Sequence, residues 1–163
     1  VITGWNTLSF DWDWLVMRCE KLKVSLDGLA RWGKFEVDRS EKAFQLIRIP
    51  GRIVHDMMLW TKRNRNFREY TLQYVSTEFG LHGKDDVLYS DIEKLFQTHE
   101  GRVKLAVYCE LDSRLVAQLM QLKQLDPLGK TLAISQLTGV APEDLLFRGS
   151  MNTLRLAEAL ALF

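Results

Sequence analysis

One change of period divides the chain. Before residue 57, short strand-like runs dominate, with a single helical stretch among them; after it, apolar residues recur at helical spacing almost to the end. A chain patterned this way builds a small sheet covered by helices, an α/β or α+β domain. At 163 residues, with 47% hydrophobic and 26% charged, it can bury a core without metals or disulfides. Two cysteines, Cys19 and Cys109, exclude a disulfide scaffold and read as the reduced thiols of an intracellular protein. No run reaches the roughly 18 apolar residues of a membrane helix, so no membrane is expected as a partner. The opening Val1-Ile-Thr-Gly-Trp, with no methionine, reads as the inside of a strand and hence as a piece of a longer protein.

Along the chain, Val1 to Thr3 is a β-branched run ended by Gly4. Ser9 is placed to cap a helix whose inner face is Trp12, Leu15, Val16, Cys19 and Leu22. Lys34–Val37 and Phe44–Ile49 read as a hairpin with a polar tip, Pro50-Gly51 as a turn, and Arg52–Asp56 as a third strand. Later, Leu72, Val75 and Phe79 share a helix face that Gly80 ends. Ser90-Asp91-Ile92-Glu93 fits a capping box. A long helix follows over Glu100–Leu125, another over Leu128–Thr138 up to Gly139, then one led by Pro142 and a last one capped by Ser150.

The net charge of +1 says nothing about partners, but its distribution is uneven. Arg48, Arg52, Lys62, Arg63, Arg65 and Arg68 face one acid, Asp56. Lys62–Arg68 (KRNRNFR) could grip phosphates, and its plain reading is a solvated loop. On the long helix, the stripe Leu105, Tyr108, Leu115/Val116, Leu119 is broken by Asp112. At about 100° per residue, Asp112 lies about 20° from Leu119 and about 40° from Tyr108. A carboxylate on an apolar stripe needs compensation, from a salt bridge to an arginine, a helix N-terminus or a metal ion. Asp11, in the first turn of its helix, either answers the helix dipole or sits at a ligand site beyond the end of a strand. Asp13 reads as solvated, Met57 and Met58 as core filler, and His55, His82 and His99 show no metal-ligand spacing.

These residues also fall into known motifs. Val1-Ile-Thr-Gly-Trp-Asn6 followed by Phe10-Asp11 resembles the second exonuclease motif of B-family DNA polymerases, and Tyr108-Cys-Glu-Leu-Asp112 resembles the third. Gly51-Arg-Ile-Val-His-Asp56 is similar to the Gly-Arg strand of the same domain, and Tyr70-Thr-Leu72 with Gly83-Lys84 to its next helix and loop. Thr138-Gly-Val140 with Leu145-Leu-Phe-Arg-Gly149 is similar to the segment leading toward the polymerase palm. The resemblance runs in order over nearly the whole chain.

It implies an α/β, ribonuclease-H-like exonuclease fold, truncated at its N-terminus, with an inserted hairpin and a helical C-terminal half. Residues 1–125 would be the exonuclease domain and 126–163 a helical segment toward the palm. The implied activity is 3′–5′ proofreading, two-metal hydrolysis of a single-stranded DNA primer end, carried out inside the cell as part of a larger polymerase chain. Asp11 and Asp112 would ligate Mg²⁺ or Mn²⁺. Tyr108 would orient the attacking water, and Asn6 and Phe10 would meet the substrate. The family's Asp-x-Glu motif would lie before Val1, so the chain by itself is expected to be inactive, with an open sheet edge capable of self-association. The rival reading is a non-catalytic nucleic-acid-binding or structural module. The 34–49 hairpin either separates primer from template or merely extends the sheet.

Overall fold

The computed structural model describes residues 1–38, 46–81 and 87–147. The hairpin tip at 39–45, the Gly83-Lys84 loop and the Ser150 helix lie outside these residues. Strand β1 (Ile2–Gly4) pairs in parallel with β4 (Val54–Asp56), Ile2 opposite Val54 and Gly4 opposite Asp56. This is the neighbourhood expected from the two apolar runs. Strands β2 (Glu36–Asp38) and β3 (Leu46–Arg48) pair antiparallel, with Val37 opposite Ile47. Val37 and Ile47 turn inward while Glu36, Asp38 and Arg48 face water, the alternation that holds a strand in register. Gly51, at φ +79°, makes the turn from this hairpin toward β4.

Helix α1 (Asp11–Leu22) follows a 3-10 turn at Thr7–Ser9. Ser9 lies inside that turn and does not cap α1; Phe10 holds the cap position without a side-chain hydrogen bond. The buried face of α1 is also narrower than its sequence suggests. Trp12 and Val16 are buried, whereas Leu15 and Leu22 are exposed. Helix α2 (Met57–Asn64) starts directly on β4, so Lys62 and Arg63 are helical rather than in a loop. Met57 is fully buried, as a core filler should be.

Helix α3 (Leu72–Glu78) is capped by Thr71 and closed by Gly80 at φ +70°. Helix α4 (Ile92–Gln97) has no side-chain cap, so the Ser90–Glu93 capping box does not form. Helix α5 (His99–Gln121) starts on Thr98, whose hydroxyl accepts from Gly101 N–H. It ends before the expected Leu125, because the chain turns there to drive Leu125 into the core. Helix α6 (Pro127–Thr138), capped by Asp126 and stopped by Gly139, leads to α7 (Pro142–Phe147).

Two apolar clusters meet at the β4–α2 junction. Leu8, Trp12, Val16, Ile47, Ile49 and Val54 join α1 to the strands. Met57, Trp60, Val75, Val116, Leu119 and Leu125 join α2, α3 and α5. Helix α5 also packs against β1. Among the described residues no helix is long and apolar enough to cross a membrane.

Candidate functional site

The chain leaving β1 is shaped by one carboxylate that sequence reasoning passed over. Asp56 ends β4 and caps α2, and it is buried. Its Oδ1 accepts from the N–H groups of Met58 (3.0 Å) and Leu59 (3.1 Å), which would otherwise be unpaired at the helix start. It also accepts from Asn6 N–H at 3.2 Å, while Oδ2 accepts from Leu8 N–H at 3.0 Å. One side chain thus fixes both α2 and the turn between β1 and α1. The signal was present in the sequence as an aspartate between an extended run and Met-Met-Leu-Trp, an N-cap pattern.

That turn is tight. Asn6 sits at φ 61°, a left-handed conformation that asparagine tolerates better than most residues. A Cβ on Gly4 would fall 2.2 Å from Thr7 Cγ2. The Gly-Trp-Asn motif therefore has a backbone reason of its own, and Trp5 is pinned by its indole N–H donating to Tyr70 O at 3.2 Å. The turn delivers Asp11 to the first turn of α1 with its side chain outside the core. Partial burial raises its carboxyl above the ordinary range; its own backbone hydrogen bond opposes this, and the charge of Asp56 adds to the rise. Asp11 and Asp56 thus make a locally anionic place in which Asp56 is saturated by N–H donors. No lysine or arginine bridges Asp11 among the described residues.

Tyr108 and Asp112 lie one turn apart on α5, both half-buried, while Leu115, Val116 and Leu119 farther along the stripe are buried. Helix α5 packs on β1, from whose end the chain leads through the Asn6 turn to Asp11. The donors are hard oxygens, which suits Mg²⁺ or Mn²⁺. Among the described residues, however, no three His, Cys, Asp or Glu side chains gather as a ligand set. The oxygen donors of Asp11 and Asp112 suit a divalent ion in their chemistry alone. Asp13 departs from its solvated reading: its Oδ1 is buried without a hydrogen-bond partner. His55 is buried between strands, with Nδ1 3.3 Å from Thr3 Oγ1, consistent with a structural histidine.

The basic segment serves the fold. Arg48 pairs with Asp144 at 3.2 Å, Arg52 donates to Leu29 O, Arg63 to Leu146 O, and Arg65 to Gln124 O at 2.7 Å. Lys62 lies 5.7 Å from the centre of the Tyr70 ring. These contacts tie the strands and α2 to later parts of the chain, while Lys62, Arg63, Arg65 and Arg68 stay exposed and residues 65–68 form a loop, in keeping with the solvated reading there.

A mixed α/β unit with carboxylates placed just past its parallel strands has the layout in which α/β proteins keep ligand sites. Residues 1–75 match the family model for the exonuclease domain of DNA polymerase family B. The chain is 34% identical over 161 residues to the DNA polymerase delta catalytic subunit of Mesocricetus auratus, covering 91% of this chain and 14% of that protein. It is 31% identical over 161 residues to the Drosophila melanogaster delta catalytic subunit, covering 91% and 15%. It is 31% identical over 132 residues to the DNA polymerase catalytic subunit of Epstein-Barr virus strain B95-8, covering 74% and 13%. Residues 1–75 thus carry the family-B exonuclease-domain match, and the chain, similar over most of its length to catalytic subunits of B-family DNA polymerases, spans about one-seventh of the relatives it matches.

Proposed function

We propose that the chain is part of a 3′–5′ proofreading exonuclease of ribonuclease-H-like fold, in which residues 1–125 belong to the nuclease and 126–163 lead toward the polymerase palm. The observation that carries this reading is the family match over the segment that ends β1, makes the Asn6 turn and presents Asp11. Asp11 and Asp112 would hold divalent ions, which when bound activate water and stabilise the leaving 3′ oxygen. The chain's own residues do the positioning. Asp56 fixes the turn that aims Asp11. Tyr108, one helical turn before Asp112, offers a hydroxyl to orient the attacking water. Asn6 and Phe10 would meet the primer end.

The substrate is single-stranded DNA, and the partner is the remainder of a longer polymerase chain that completes the ligand set. Release of mononucleotides from a labelled oligonucleotide tests this. The chain alone should trim little or nothing. In the full-length polypeptide carrying it, Asp112→Ala should reduce Mg²⁺-dependent trimming by at least about 100-fold, because it removes a ligand. Tyr108→Phe should slow trimming while leaving metal affinity unchanged. Trimming by Asp112→Ala at the parent rate would make Asp112 a structural residue and favour the non-catalytic module.

A further inference from the structure

We propose that Trp14, on the outer face of α1, is a base-stacking residue for the single strand whose 3′ end enters the Asp11 site, an inference that rests on the nuclease reading above. The buried side of α1 is Trp12 and Val16; the opposite side carries Phe10 and Trp14, 56% and 59% exposed. Large aromatic surface left in water is unfavourable and marks a face that something covers. The backbone N–H of Trp14 donates to the Phe10 carbonyl at 3.2 Å, so the two residues sit one turn apart at the start of α1, with Asp11 between them in sequence. Arg18 and Lys21, both exposed, continue the same face at four and seven residues from Trp14.

A carboxylate at one end, two aromatics beside it and two cations beyond match a nucleic-acid strand better than a protein surface. Bases stack on aromatic rings without sequence preference, and the phosphates that follow are met by the cations. The carboxylate end takes the reacting 3′ terminus. Trp14 thereby holds the strand, and acts on affinity more than on the chemical step.

The test is fluorescence anisotropy of a labelled oligothymidylate with the chain itself. Trp14→Ala should weaken binding about tenfold and Trp14→Phe no more than about threefold, since one stacked base carries a factor of roughly that size. Trp32→Ala, which removes an equally exposed ring from outside α1, should leave binding unchanged. Arg18→Gln should lower the slope of log affinity against log salt by about one. Thermal melts of each variant should overlay the parent, because these side chains are exposed. Binding by Trp14→Ala as tight as by the parent overturns the stacking role, leaves the nuclease reading in place and assigns the face to a protein partner. Failure of the unaltered chain to bind the oligonucleotide overturns the stacking role, while the trimming assay on the full-length polypeptide decides the nuclease reading separately.

Discussion

His55 shows how far burial alone can set a residue's behaviour. It is 1% exposed, and burial pushes its pKa from 6.5 down to about 4. The unfolded chain takes up the proton near 6.5 and the folded chain only near 4. The fold therefore has its full stability above about pH 6.5 and loses it as the pH falls toward 4, by up to about 3 kcal/mol. Urea unfolding at pH 7 and at pH 4.5 should show this loss in the parent and a smaller one in His55→Asn. Equal losses would place the titration elsewhere. The sequence shows no metal-ligand spacing around His55, which leaves it a structural or a surface residue, and nothing local records its burial. Asp13 went the other way: two residues past Asp11 it reads as solvated, yet one of its oxygens is enclosed. Burial of single polar atoms depends on which neighbours the chain brings from afar, and no local pattern records that.

At the scale of elements, the β4–α2 junction organises the site. Asp56 holds the start of α2 and the Asn6–Leu8 turn together. Removing its carboxylate loses a cap and strands a buried N–H at the fully buried Leu8. Asp56→Ala should therefore cost about 2–4 kcal/mol by denaturant titration. Asp56→Asn, which keeps an accepting oxygen, should cost less than half of that. Equal costs would mean that the charge rather than the cap is what matters. Strands and most helices were legible because their signals are local: alternation in Val37 and Ile47, Pro127 and Gly139 bracketing α6, Pro142 opening α7. The caps were the least legible part. Ser9 and the Ser90–Glu93 pattern have the right residues, yet 3-10 turns run through both places and take the cap position away. The contacts of the basic run were illegible for a related reason. Composition counts charges, whereas the folded chain points Arg63 and Arg65 at the carbonyls of Leu146 and Gln124.

For the whole molecule, the family could be read from five motifs in order, and the match over residues 1–75 agrees with it. Asp112 also stood out before any resemblance, as a carboxylate on an apolar stripe. The sequence could not supply the distance between Asp11 and Asp112, since it is set by how α5 lies on β1 rather than by either segment. That shared site is the central claim, and manganese broadening of backbone amide signals in the labelled chain tests it most directly. Since no three His, Cys, Asp or Glu side chains gather among the described residues, binding should be weak, on the order of millimolar, as expected for a hard ion held by few carboxylates. Titrated Mn²⁺ should broaden the amides around Asp11 and around Asp112 together, and Asp112→Ala should relieve the broadening at both. Broadening at Asp11 that survives Asp112→Ala, or broadening at only one of the two, would show that the carboxylates do not share a metal.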